Sequence, residues 1–187
     1  MKQLTFHSFL TFVLLFVLVA ATHAQKKKVS KNTYKHSQQA KKLSPAGDTD
    51  EQVKNGIKIN AKGFKVAEAY LFYDDETPVP EHNRVELNQN INLLLIIDSG
   101  WSVLEGKVFP GSKQIIRTSN GVEMHDSEEL FAAFNDTGVP EEDARYITLN
   151  AVITELSDKK KHAVVNFRVW DKKGDSEITG SYKLFIK

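Results

Sequence analysis

Three β-rich runs close this chain, and the shortness of what joins them restricts the fold more than any other feature. The runs are Tyr146–Leu156, His162–Trp170 and Ile178–Ile186, and only Ser157–Lys161 and Asp171–Glu177 lie between them. Parallel neighbours need a crossover of a dozen or more residues, so polar connectors this short predict antiparallel pairing, here a three-stranded meander. The middle run alternates cleanly. Ala163, Val165, Phe167 and Val169 fall on one face, and His162, Val164, Asn166, Arg168 and Trp170 on the other.

The same signals recur upstream. Ile57, Ile59 and Ala61 alternate with polar residues until Gly63 interrupts as a bulge or bend, and Phe64–Tyr73 is a second β-rich run. Two prolines make 74–81 a loop, and Arg84–Leu87 reads as a short edge strand. Ile91–Ile97 is apolar at every position but Asn92, as expected of a central strand covered on both faces. Gly106–Thr118 reads as two short strands about a Pro110-Gly111 turn. Asp126 followed by Glu129 is a capping pattern that predicts one short helix at about 127–134, with Leu130, Phe131 and Phe134 inward. Pro140–Asp143 opens a further brief helical turn. About seven strands with so little helix predict an all-β fold, an immunoglobulin-like antiparallel β-sandwich over residues 56–187.

What precedes that domain has a different composition. A lysine at position 2, the apolar run Phe12–Ala21 and the small residues of Thr22-His23-Ala24 predict a signal peptide over 1–24, cleaved before Gln25. Ten apolar residues fall short of the roughly 20 that span a bilayer, so no transmembrane segment is expected after cleavage. Residues 25–55 read as a disordered, lysine-rich linker. Up to Asp50 that stretch has seven lysines against two aspartates. Setting these and Lys2 aside from the chain's 25 basic and 24 acidic residues leaves 17 basic and 22 acidic from Glu51 onward. A basic tail thus precedes an acidic domain. The tail can touch anionic surfaces, but a solvated spacer is the expected role and no nucleic-acid partner is expected. Cysteine is absent, so no disulfide staples the fold and an ordinary core must supply its cohesion. The expected location is secreted or periplasmic, in a bacterium.

The chemistry is sparse. In VWDKKGDSE (169–177), Asp171 and Asp175 flank two lysines, and Asp98 is the one further carboxylate expected at that end. Calcium wants six to eight oxygens, so the stretch reads as a tight turn in which Asp171 accepts local N–H groups and Gly174 adopts positive φ. There is no Cys nucleophile, HExxH or GxSxG, and His82, His125 and His162 look solvated. Ser157-Asp-Lys-Lys160 has Ser-x-x-Lys spacing but lies in a connector rather than on a helix. No catalytic residue, metal ligand or cofactor is therefore expected, and an enzyme is not.

Binding is the remaining class of function. Asn166, Arg168 and Trp170 share a strand face, where an aromatic plate beside a guanidinium and an amide suits a sugar or a peptide; Trp101 is the other candidate. The competing reading has Trp170 packed at the end of the sandwich and Arg168 paired with Glu155 or Glu177. The layout is similar to small exported bacterial β-sandwich modules, on architecture alone. The leading expectation is a non-catalytic binding or assembly module of the envelope or extracellular space that recognises a protein partner by a strand edge or by the Arg168/Trp170 face. The alternatives are a carbohydrate-binding module stacking sugars on Trp101, Trp170 or Tyr182, with envelope polysaccharide as ligand, and a hydrolase with an unrecognised carboxylate pair.

Overall fold

Alternating apolar side chains sort the chain into two layers. The computed structural model describes residues 52–156 and 162–187. The expected signal peptide, nearly all of the expected linker and the connector 157–161 lie outside them. Twelve strands occur among the described residues: β1 Gln52–Val53, β2 Lys58–Lys62, β3 Lys65–Tyr73, β4 Arg84–Val85, β5 Asn90–Ser99, β6 Lys107–Val108, β7 Pro110–Thr118, β8 Glu123–Asp126, β9 Val139–Pro140, β10 Tyr146–Val152, β11 His162–Asp171 and β12 Glu177–Ile186. One sheet, A, has the order β1-β3-β5-β10. The other, B, runs β2-β12-β11-β7-β8, with β4 also pairing β12, and β6 and β9 form a separate two-stranded ribbon.

A single apolar cluster fills the space between A and B. Ala69, Leu71, Leu93, Leu95, Ile147 and Leu149 come from sheet A and meet Ala163, Val165, Phe167, Val169, Ile178 and Leu184 from sheet B. This is the expected all-β sandwich, predominantly antiparallel. Among the described residues no helix is long and apolar enough to cross a membrane.

Three local expectations are corrected. The C-terminal meander is not formed. The β11–β12 hairpin is present, but β10 joins the other sheet and pairs β5 from Tyr146↔Ile96 to Val152↔Asn90. Both edges of β11 are occupied, by β12 and β7. Alternation says which face of a strand is buried, not which strand lies beside it, and a short connector can also pass between layers. Second, Pro110 and Gly111 do not turn the chain. They begin β7, opposite Asp171 and Trp170, where a proline is tolerated at the first strand position. Third, the expected helix at 127–134 reduces to a 3-10 turn, Ala132–Phe134, and a short α-helix, α1, lies later at Glu141–Ala144. The capping residues serve β7 instead. Ser127 Oγ accepts from the Gln114 N–H (2.8 Å), Glu129 Oε1 from the Ser112 N–H (3.1 Å), and Asp126 pairs with Lys113 (2.9 Å).

Part of the stretch read as linker is strand. The strand β1 pairs β3, and Asn55 and Gly56, with φ of 56° and 57°, carry the chain from sheet A to sheet B through a turn closed by Ile57 N–H to Lys54 O (3.1 Å). Asn55 is buried. Its amide donates to Val79 O (2.9 Å) and Asn83 Oδ1 (3.0 Å), while its Oδ1 accepts from the Leu71 N–H (3.0 Å). Asn83, also buried, donates back to Asn55 O (2.8 Å) and to Lys183 O (2.9 Å). Two asparagines thereby clasp both sheets and the 79–83 loop with no buried amide left unpaired.

Candidate functional site

Alternation along β11 puts Asn166, Arg168 and Trp170 on the outer face of sheet B, as expected, beside Ser181, Thr179 and Glu177 of β12. The indole of Trp170 packs on the bare backbone of Gly111 in β7: a Cβ there would come within 2.2 Å of Trp170 Cε2. The Arg168 guanidinium lies over the indole, 4.9 Å from its centroid, and its Nε and Nη2 both donate to Glu177 Oε2, the first at 2.8 Å. Arg168 therefore has the Glu177 partner that the packing alternative named, and Trp170 is a half-buried, covered ring rather than an open plate. Asn166 stands further along the face between Ser181 and Ile115.

Trp101 belongs elsewhere. It follows Gly100, whose φ of +118° turns the chain after β5, and packs edge-on against Phe64 with centroids 4.6 Å apart. The four candidate residues thus do not converge. Tyr182, offered as a stacking platform, is 1% exposed inside the core, where burial pushes its phenol pKa well above the ordinary range.

What Trp101 does line is a cleft of about 400 Å³, shared with Asp98 and Ser99 from the end of β5, Glu141 from α1, and Arg145 and Tyr146 at the start of β10. The β5–β10 ladder builds it. Ile97 N–H donates to Arg145 O (2.8 Å), which brings 97–101 against 141–146. Pro140 starts α1 at that point and sets Glu141 and Glu142 in its first turn. Asp98 is held by Arg145 Nη2 at 2.9 Å and by Lys65 at 3.9 Å, and the same guanidinium sits 5.9 Å from the Tyr146 centroid. Trp101 Nε1 is buried without a hydrogen-bond partner. Two aromatic walls flank a carboxylate–guanidinium pair in a volume within the ~300–1,000 Å³ range of small-molecule sites. Such a site can stack an apolar ring face and exchange hydrogen bonds with hydroxyls around its rim.

The 169–177 stretch is a turn with a structural task. Asp171 is buried, and its carboxylate accepts from the Ser102 N–H (2.6 Å) and the Lys173 N–H (2.9 Å), fastening the β11–β12 hairpin to the loop that carries Trp101. Gly174 does not have the expected positive φ. Glycine is needed there because a Cβ would lie 2.2 Å from Ser102 Oγ and 2.7 Å from Asp171 Oδ2. Among the described residues no three His, Cys, Asp or Glu side chains are placed to hold a metal ion. His82 and His125 are exposed, whereas His162 is half-buried; desolvation first, and the charge of Lys183 second, keep its pKa below the usual value.

No protein-family model matches the sequence, and no curated protein matches it. Among solved structures, the crystal structure of the C-terminal domain of wzt is similar, with a TM-score of 0.46 and 12% identity over 74% of this chain and 83% of that one. At that level the resemblance does not extend to a site or a ligand.

Proposed function

We propose that this protein is a non-catalytic carbohydrate-binding module, exported to the envelope or extracellular space, whose ligand sits in the cleft between the end of β5 and α1. The observation that carries this reading is the set of Trp101 and Tyr146 about the Asp98–Arg145 pair in one concavity. A sugar offers an apolar ring face and a rim of hydroxyls, the two chemistries that these side chains complement. The reading is of binding rather than hydrolysis: of the carboxylates that line the cleft, Asp98 is held by Arg145 and Lys65, which suits a fixed acceptor of ligand hydroxyls more than a proton shuttle. A protein partner is the weaker reading, because one edge of each sheet is defended. On the free edge of β10 the Gln114 amide donates to Asn150 O (2.9 Å), and the β2 edge carries Lys58 and Lys62.

The test is a glycan array probed with the purified protein, followed by tryptophan-fluorescence titration of any hit. Binding should weaken by about tenfold or more, roughly the 1.4 kcal/mol of one lost contact, in both Arg145→Ala and Tyr146→Ala. An array without hits, or hits indifferent to both substitutions, would overturn the proposal.

A further inference from the structure

Charge is unevenly distributed over the domain. From Glu51 onward the chain has 17 basic and 22 acidic residues, yet the outer face of sheet B has the opposite balance. The ladder registers place Lys58, Lys62, Lys113, Arg117, Arg168 and Lys183 on that face, against Glu123, Asp126 and Glu177. All three acids are already engaged, by Arg117, Lys113 and Arg168 respectively. Lys58, Lys62 and Lys183 make no ion pair among the described residues, and all three are exposed. They occupy the adjacent strands β2 and β12, so the surplus is concentrated rather than spread.

Between the lysines lies a hydrogen-bonding floor. Asn60 pairs across to Thr179, and Lys58 to Ser181, which is itself opposite Asn166. No hydrogen bond among the described residues engages the side chains of Asn60, Asn166, Thr179 or Ser181. Lys58 and Lys62, four residues apart on one strand, stand about 13 Å apart with Asn60 between them. Around β2 and the adjoining part of β12 the face is polar and accessible, which suits an extended hydrophilic polymer more than a folded ligand.

We propose that the outer face of sheet B docks an acidic polysaccharide, with Lys58, Lys62 and Lys183 answering its carboxylates and Asn60, Asn166, Thr179 and Ser181 its hydroxyls. Single-stranded nucleic acid fits less well, since it wants a row of bare aromatic faces, whereas Trp170 is covered by Arg168 and Phe185 packs against His162 with centroids 5.3 Å apart. An anionic membrane fits less well too, since it rewards a broad exposed apolar face, whereas Phe185 of β12, 38% exposed, is a single such side chain among polar ones. The proposal is independent of the cleft and stands or falls without it.

The experiment measures retention of the purified protein by polygalacturonate, with its fully methyl-esterified form as a neutral control of the same backbone. Two further probes are a DNA oligonucleotide of matched charge and phosphatidylglycerol vesicles. Polygalacturonate should bind and weaken by about tenfold as salt rises from about 0.05 M to about 0.2 M, the neutral ester should not be retained, and DNA and vesicles should bind less well. The triple variant Lys58→Gln, Lys62→Gln, Lys183→Gln should lose about tenfold in affinity at an unchanged urea midpoint, while Lys107→Gln, at an exposed lysine on the β6–β9 ribbon, leaves retention unaltered. Unchanged retention of the triple variant would overturn the proposal, most plainly if that variant self-associates, because the lysines would then serve only to keep the β2 edge from pairing. Equal affinity for DNA or vesicles would overturn it as well.

Discussion

The outer faces of the two sheets follow opposite rules. On sheet B most residues pointing away from the core are charged, amide or hydroxyl, with Ile115, Val164 and Phe185 as the apolar exceptions, and the Trp170 ring is roofed by its own arginine. On sheet A the outer face forms a second, smaller apolar cluster: Phe72, Leu94 and Ile96 are buried, with Ala67, Tyr70 and Tyr146 packed against them. Even Asn92 is fully buried there, its amide donating to Asp74 and its carbonyl accepting from Asn150. A strand that alternates leaves a face on which recognition can be built, whereas one that is apolar throughout commits both faces to cohesion. The cleft lies where the closed face ends, at Tyr146.

The contrast breaks most readily by truncation. Leu94→Ala, at 0% exposure on the outer side of β5, should cost about 2–5 kcal/mol, a core-like value, while Thr179→Ala on the outer side of β12 should cost under about 1 kcal/mol. Urea denaturation of the two variants decides it, and equal losses would erase the distinction. Next in size is Gly111→Ala, whose methyl group must displace the Trp170 indole. A loss of about 1–3 kcal/mol with a shift in tryptophan emission is expected, and an unshifted spectrum would place the indole away from Gly111. Smaller still is the Arg168–Glu177 pair, exposed and therefore screened. A double-mutant cycle should return roughly 0.2–1 kcal/mol, fading with salt, and a coupling above that range would mark the face as drier than it looks.

The smallest effect concerns pH. Because desolvation and then Lys183 hold the His162 pKa below its unfolded value, the unfolded chain binds the extra proton more readily. The contribution is complete above about pH 6.5 and declines as pH falls from there through the folded pKa. Comparing urea midpoints at neutral and mildly acidic pH, with His162→Gln as reference, should show a slight loss that the variant lacks.

The alternating and apolar runs made β5, β11 and β12 legible, because each pattern records burial directly. The partner of β10 was not, since its inward Ile147, Leu149 and Ala151 would suit either sheet. The helix expected at 127–134 failed for a related reason: Asp126 and Glu129 are a good capping pair in isolation, but Asp126 pairs with Lys113 and Glu129 accepts from the Ser112 N–H, partners on β7 that only the folded sheet brings within reach. Asn166, Arg168 and Trp170 were placed on the right face, yet nothing local announced that a glycine on β7 would receive the indole. The cleft was invisible for want of contiguity, as 98–101 and 141–146 meet only through the β5–β10 ladder. The Asn55-Gly56 dipeptide, by contrast, was a readable turn signal, divided by the boundary drawn between linker and domain at 55/56.

That dipeptide also gives the molecule a chemical clock. An asparagine followed by glycine is where the next backbone nitrogen most easily attacks the side-chain carbonyl and expels ammonia, leaving a succinimide that water opens to a carboxylate. In the native fold the amide of Asn55 is tied to Val79 and Asn83, and its oxygen to Leu71. Each excursion to the unfolded chain frees it, and the aspartate or isoaspartate that results would bring a carboxylate back to a buried seam that needs a donor. Damage should therefore accumulate in proportion to time spent unfolded, and a chain once deamidated at residue 55 would struggle to close its two sheets again.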